Sequence, residues 1–427
     1  MKQIDDELKN GLANGPLTRN GFSDTLKKRI VERANEQESK SRKWFPWFRM
    51  VSVSLLIVAA FLSIEMQSKW GKGPVDTGEE QRSFKDSSAS PSFGYSYDQN
   101  EVEIQSAVLI GLRQDHPSAS GMPEYSSYRT VLLADREGEL QALAQGEGIL
   151  MPYKTDFLKI APQKQVEGNE ESWRLNASLA SLSKKPEAFD TKPAKPLKTT
   201  EKLLFAGNRY LSVAQSMRHV EGGKEVRYDY VWVKEVQDLM QEKSKQNPAP
   251  AQDSHLSLNK LYGASVQAKL MALNTNSQQT SNNGAMKGAQ IEPGESWAIV
   301  RERGQWVPQL ALYSMNEQNN AYHYRLHDIS LDLPDSVVSY DRLTVDWSEV
   351  RQVRPDAKDA FTSPKRELVG IVSDKELTVY SYDMKISSRP LITLPLAAGE
   401  SVVMIQWAID APYIEMWKNK AVTLLSE

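Results

Sequence analysis

An uncharged apolar run at residues 50–64 (MVSVSLLIVAAFLSI) constrains this 427-residue chain more than any other feature. With the preceding WFPWF the run extends back to Trp44 and is interrupted only by Arg49. As a helix rising about 1.5 Å per residue, this stretch is about 30 Å long, close to one hydrocarbon thickness. We therefore predict one transmembrane helix at 44–66.

Basic residues are concentrated on the N-terminal side of this run. They are Lys27, Lys28, Arg29, Arg33, Lys40, Arg42, Lys43 and Arg49. The positive-inside rule then predicts a cytoplasmic N-terminus and an extracytoplasmic C-terminal region in the cell membrane. A cleaved signal peptide is the alternative, and the long leading region without a following A-x-A-like site disfavours it.

The cytoplasmic stub, residues 1–43, is basic and is predicted to contain one amphipathic helix at 23–38, with Ser23 as its N-cap. Four apolar residues recur at intervals of four along it: Phe22, Leu26, Ile30 and Ala34. This narrow stripe is the candidate site for a cytoplasmic protein partner. The alternative is a helix that lies on the anionic lipid bilayer.

The extracytoplasmic region is predicted to be α+β, mainly β with few short helices. We expect a flexible stalk at 67–103, a first β-rich part at 104–162, a polar linker at 163–200 and a second β-rich part at 201–427. The evidence is a series of short apolar or alternating runs bounded by Gly, Asp or Pro. A β-propeller-like all-β domain is the alternative fold, although no repeat at the propeller period is visible.

Local signals predict particular elements within this region. The segments ADREGEL (134–140) and RERGQW (301–306) have the pattern of hairpin loops. Helices are expected at 264–273 and at 348–353, the latter ending ahead of Pro355.

Composition excludes several classes of site. The chain has no cysteine, so it has no disulfide, thiolate nucleophile or Cys-containing zinc site. The formal charge of −3 gives no reason to expect nucleic acid binding. His323 and His327 have a metal-ligand spacing only on a helix. The alternating sequence around them predicts a strand, which separates them by about 13 Å, and we expect no metal and no cofactor.

Acidic residues are the only catalytic candidates. They cluster at Asp346, Glu349, Asp356 and Asp359, and an exported hydrolase acting through Glu349 or Asp356 is one hypothesis. No G-x-S-x-G, H-E-x-x-H or phosphate-binding loop accompanies them. We therefore expect a protein that is not an enzyme.

Aromatic residues on the predicted strands have two interpretations. An exposed stripe would bind a glycan or a protein, whereas core packing would bury one face of each strand. The residues concerned are Tyr228, Tyr230, Trp232, Trp297, Trp306, Tyr322 and Tyr324.

One part of the chain, residues 202–273, resembles a known module. The segment GNRYLSVAQS is followed by Gly222 and Gly223, the strand RYDYVWVKEV and the helix start HLSLNKLYG. This order resembles the exterior module of membrane-anchored anti-sigma factors that respond to wall-degrading hydrolases, a module also found beside peptidoglycan deacetylases. The motifs are structural, and no functional residue is carried over. The chain lacks the His/Cys signature of zinc-binding anti-sigma factors.

Topology and resemblance together predict a single-pass membrane sensor or regulator. Its extracytoplasmic domain would bind an envelope protein or glycan, and its N-terminal helix would engage a cytoplasmic partner such as a sigma factor. The alternative is a membrane-tethered envelope structural or binding protein without a signalling role.

Overall fold

The computed structural model describes residues 103–117, 124–183, 189, 196–240, 254–278, 291–292, 294–316, 318 and 320–426. They form seventeen strands and few short helices, which confirms a mainly β domain. The strands are β1 Ala107–His116, β2 Tyr125–Arg136, β3 Glu139–Glu147, β4 Ile149–Tyr153, β5 Asp156–Glu167, β6 Glu170–Leu179, β7 Leu197–Ala206, β8 Tyr210–Glu221, β9 Lys224–Glu235, β10 Trp297–Glu302, β11 Gln305–Asn316, β12 Ala321–Asp328, β13 Asp359–Thr362, β14 Leu368–Val372, β15 Glu376–Asp383, β16 Lys385–Pro395 and β17 Glu400–Ala408. The helices are α1 Val236–Met240, α2 Leu258–Tyr262, α3 Gln267–Gln278, α4 Trp347–Val353, α5 Ala411–Met416 and α6 Val422–Ser426.

The predicted stub at 1–43 and the predicted spanning helix at 44–66 lie outside the described residues. Within the part of the chain that the structure describes, no helix has the length and apolar character needed to cross a bilayer.

The first sheet, in the order β17-β1-β2-β3, lies between two hydrophobic cores. Along β1, Ala107 and Leu109 pack into one core, whereas Val108 and Ile110 pack into the other. Successive side chains of a strand point to opposite faces, so a strand buried on both faces is a continuous apolar run. This explains the sequence AVLIGL at the start of β1.

The second sheet has nine strands in the order β10-β11-β12-β9-β8-β7-β6-β5-β4. It consists of three antiparallel meanders joined by two parallel pairs, β6 with β7 and β9 with β12. The sheet curls, so that β10 also bonds to β8, and Ser296, the residue before β10, bonds to β9. The Ile299 amide donates to the Ser212 hydroxyl at 3.1 Å, and the Ser296 hydroxyl donates to the Val231 carbonyl at 2.7 Å.

The third sheet, in the order β13-β14-β15-β16, covers the far face of the first sheet, and α4 packs on its outer side. A buried cluster ties it to the β10–β11 hairpin. The Arg301 guanidinium contacts Asp359 of β13 and Asp341, at 2.8 Å each. Burial raises the pKa of Asp341 to about 6, although Arg301 opposes the shift.

Both predicted hairpin loops are confirmed. Glu137 and Gly138 connect β2 to β3, and Arg303 and Gly304 connect β10 to β11. All four residues have positive φ, the backbone of a type I′ turn, whose twist matches that of paired strands. The second loop residue is glycine each time, because only glycine adopts this conformation without steric cost.

Two helices were predicted correctly and one prediction differs from the structure. The helix expected at 348–353 is α4, and the one expected at 264–273 is a 3-10 turn continuing into α3. The stretch 163–200, predicted as a polar linker, instead completes β5 and contains β6 and the start of β7. Its strands carry polar side chains on a solvent-facing side, which gives them the composition of a loop.

The parts at 104–162 and 201–427 share one sheet, because β1 pairs with both β2 and β17. The described strands form sheets of four, nine and four strands, and the largest is not a closed barrel. This arrangement differs from the repeated four-stranded blades of the propeller alternative.

Candidate functional site

A cleft of about 400 Å³ opens on the nine-stranded sheet, within the size range of small-molecule sites. Its walls come from β7, β8, β9 and β12 and from the beginning of β2, elements far apart in the sequence. We call it the sheet cleft, and it is lined by Glu124–Ser126, Leu197–Lys202, Ala214–Ser216, Arg218, Arg227, Asp229, Tyr230, His323 and Tyr324.

The strand register places the polar residues of the sheet cleft in rows. Arg218 on β8 lies directly opposite Arg227 on β9, and Ser216 lies opposite Asp229. Thr200 on β7 pairs with Ser216 on its other side. These side chains share one face of the sheet, because residues two apart along a strand point the same way.

A hydrogen-bonded chain links three strands across this face. Arg227 Nε donates to Asp229 Oδ1 at 2.9 Å and to Ser216 Oγ at 3.0 Å. The other carboxylate oxygen of Asp229 lies 2.5 Å from His323 Nδ1 on β12. Asp229 is only 16% exposed, so these contacts fix its carboxylate at the parallel junction of β9 and β12.

A second charged group forms the rim of the sheet cleft near β2. Lys202 Nζ lies 3.0 Å from Glu124 and 3.7 Å from Asp115. Burial opposes ionisation of Asp115, but Arg113, the hydroxyl of Ser126 and Lys202 hold its pKa below the usual value of 3.8. Asp115 therefore remains an anion and holds Lys202 at the rim.

A buried ion pair stabilises the strands that form the sheet cleft. Lys234 Nζ lies 3.4 Å from Glu201, and both side chains are less than a tenth exposed. Glu201 also accepts from the Leu175 amide at 2.8 Å and from the Gln215 side chain at 3.2 Å. A buried carboxylate needs such partners to remain charged. The network therefore stabilises the junction between β6, β7, β8 and β9.

Aromatic rings border the sheet cleft. The Tyr125 ring stacks between His116 and Phe189, with centroids 4.3 Å away on each side. Tyr324 lies on the opposite wall, and burial raises the pKa of its hydroxyl to about 12. Tyr324 therefore offers a neutral phenol group at neutral pH.

The aromatic residues singled out from the sequence pack mainly into cores. Tyr228, Tyr230, Trp232, Trp297 and Trp306 are buried, and Tyr322 and Tyr324 are half-buried. Tyr322, Tyr228, Tyr230 and Trp232 form a stacked series along one face of β9 and β12. The core-packing interpretation is thus the one that the structure favours.

The acidic residues singled out from the sequence have structural partners. Glu349 accepts from the Ile386 amide at 2.8 Å, and Asp356 pairs with Arg354 at 3.1 Å. Asp359 is held by Arg301 and by the Gly304 amide. Asp346 precedes α4 at the N-cap position. The structure does not bring these four carboxylates together around the sheet cleft.

The remaining candidates are placed as follows. Phe22, Leu26, Ile30 and Ala34 lie outside the described residues. His323 and His327 are on strand β12, as predicted, and only His323 lines the sheet cleft. No group of three or more potential metal ligands occurs within the described part of the chain.

Sequence reasoning missed the residues of the sheet cleft apart from His323, Tyr230 and Tyr324. The alternation in KEVRYDYVWV does place Arg227 and Asp229 on one face. Nothing in the sequence indicates which strands lie beside β9. The order of the strands determines which side chains surround Arg227 and Asp229.

The residues on which the resemblance rests form β8, the Gly222–Gly223 turn, β9 and α2. Ser257 caps α2 by accepting from the Lys260 amide. Comparison with known proteins adds no relative, since no protein-family model and no curated protein matches the chain.

Proposed function

We propose that this protein is a single-pass membrane regulator whose extracytoplasmic β domain binds an envelope ligand and whose N-terminal helix engages a cytoplasmic partner. The observation that carries the proposal is the sheet cleft, a polar site of about 400 Å³ in the domain that follows the predicted span. The basic stub before that span and the resemblance to anti-sigma factors support the regulatory half.

The topology is tested by labelling single cysteines, for which this cysteine-free chain needs no background substitution. Ser39→Cys lies in the stub, and Ser388→Cys lies on an exposed position of β16. On intact cells a membrane-impermeant maleimide should label Ser388→Cys only, and both variants should react after lysis. Labelling of Ser39→Cys on intact cells would refute the proposed orientation.

The regulatory half is tested by a crosslinking pull-down from the native host, with residues 1–49 as bait. Leu26→Asp and Ile30→Asp are the controls, because each places a charge in the apolar stripe. Recovery of a sigma factor with the unchanged bait and its loss with both controls would support the proposal. Recovery of lipid alone would leave the alternative, a tethered envelope-binding protein without a signalling role.

A further inference from the structure

Three cations form a row across adjacent strands in the sheet cleft. Arg218 and Arg227 are direct partners, and the pairing of Thr199 with Met217 places Lys198 beside Arg218. Strands lie about 4.8 Å apart, so the row spans about 10 Å. Like charges directly opposite each other destabilise a sheet. The row is therefore an arrangement that an anion would stabilise.

Three carboxylates pair with this row; Asp229 lies inside the sheet cleft and contacts Arg227 at Nε, and the other two lie outside the cleft. Lys198 contacts Glu170, and Arg218 contacts Glu225, but neither glutamate lines the sheet cleft. Both glutamates are about half exposed or more, and such surface pairs contribute at most about 1 kcal/mol. An anion entering the cleft can displace them at little cost.

Arg227 has unused donors. Its Nε donates hydrogen bonds to Asp229 and Ser216. Within the described residues its two terminal nitrogens have no hydrogen-bond acceptor. A guanidinium binds carboxylate and phosphate groups through two parallel N–H bonds. The side chain is fixed at Nε and presents its other edge, so Arg227 is oriented in advance for an oxyanion.

The neighbouring row of side chains in the sheet cleft offers hydrogen-bond partners for the hydroxyl groups of a ligand. Thr200 and Ser216 carry hydroxyls beside the carboxylate of Asp229. Tyr324 adds an aromatic ring on one wall, whereas the Tyr125 ring on the other wall is stacked between His116 and Phe189 and presents only its edge. Hydroxyls and a carboxylate exchange hydrogen bonds with a polyol, and aromatic rings pack against the apolar faces of sugars.

From this juxtaposition we infer that the sheet cleft binds an acidic saccharide, with its carboxylate or phosphate on Arg218 and Arg227. The inference rests on the proposed function only in taking the cleft as the ligand-binding part of the extracytoplasmic domain. It adds the chemical class of the ligand.

The test is calorimetric titration of the full chain in detergent micelles with three probes: trigalacturonic acid, neutral maltotriose and glucose 6-phosphate. Trigalacturonic acid should bind at least about 10-fold more tightly than maltotriose. Arg218→Gln and Arg227→Gln should each weaken its binding by about 10-fold or more, because each removes charge-assisted hydrogen bonds. Salt at about 0.5 M should also weaken binding.

Arg209→Gln is the matched control. Arg209 is 60% exposed, pairs with Glu235 and does not line the sheet cleft, so this variant should bind within about 2-fold of the unchanged chain. A thermal unfolding midpoint is measured for each variant. Arg218 is 51% exposed, so Arg218→Gln should fold and provide the result even if Arg227→Gln does not.

Binding of glucose 6-phosphate as well would support oxyanion recognition in general, and binding of trigalacturonic acid alone would support a carboxylate-bearing saccharide. Equal binding of maltotriose would overturn the inference while leaving a ligand-binding domain in place. The inference would also be overturned if none of the three probes binds, or if Arg209→Gln weakens the binding of trigalacturonic acid as much as Arg218→Gln and Arg227→Gln do. The pull-down with residues 1–49 tests the regulatory function independently.

Discussion

Replacing Arg301 by alanine should destabilise the β domain by about 3–5 kcal/mol at pH 8. The guanidinium, only 9% exposed, donates at 2.8 Å to Asp341 and to Asp359 and at 2.7 Å to the Ala360 carbonyl. Its removal leaves two carboxylates without their cation, at 15% and 13% exposure. These contacts join the β10–β11 hairpin to the third sheet.

The magnitude follows from the contacts that are lost. Two charge-assisted hydrogen bonds at about 1.5 kcal/mol each give the lower value of about 3 kcal/mol. Breaking a buried ion pair by removing one partner costs up to about 5 kcal/mol, because the remaining charge is not solvated. The loss should be about 1–2 kcal/mol smaller at pH 5.5, below the pKa of about 6 that burial gives Asp341, since its neutral form needs no cation.

The measurement is urea-induced unfolding, followed by tryptophan fluorescence, of the compact unit Ser96–Glu427. Arg209→Ala is the control, because it removes an exposed arginine and should cost less than about 1 kcal/mol. Adding Asp341→Asn to Arg301→Ala should recover part of the loss by removing one unpaired carboxylate. A loss below about 1 kcal/mol, or one that does not depend on pH, would refute the reasoning.

Three further predictions concern stability. The folded pKa of Asp341, about 6, lies above its unfolded value near 3.8, so the native state binds the extra proton. The free energy of unfolding should therefore fall by up to about 3 kcal/mol as pH rises from about 4 to 6. Asp341→Asn should remove this fall in urea titrations across that range. Gly146→Ala would place a methyl carbon 2.2 Å from the Leu425 carbonyl oxygen, displace the C-terminal helix and cost about 1–3 kcal/mol, which thermal unfolding would detect; an unchanged midpoint would contradict this packing. Tyr128→Phe should lower the free energy of unfolding in urea by about 1–3 kcal/mol. The Leu203 amide donates to the Tyr128 hydroxyl at 2.9 Å and would be left buried without an acceptor. An unchanged free energy of unfolding would show that this hydrogen bond is dispensable.

Local patterns in the sequence account for much of the fold. Alternation and turn residues predicted the mainly β class, and the pairs Glu137–Gly138 and Arg303–Gly304 specified two hairpins, since positive φ at both loop positions is a local requirement. The helix α4 was equally visible, because Pro355 disfavours its continuation. These features depend on residues within a few positions of one another.

The long-range pairing was not predictable in the same way. The strand β1 pairs with β17 nearly 300 residues later, and β9 pairs with β12 across two hairpin strands and three helices. Residues 163–200 were taken for a linker because a strand with one solvated face has the composition of a loop. Which strands become neighbours depends on the total apolar surface that the chain can bury, and no short segment encodes that quantity.

The sequence by itself therefore determined the type of most elements, the two type I′ turns and the absence of every cysteine-based site. Only the tertiary structure decided that Lys198, Arg218 and Arg227 stand in one row, with Ser216 and Asp229 beside them. The physical reason is that alternation places a side chain on a face, whereas strand order and register choose its neighbours. A charge acquires a role in binding only through those neighbours.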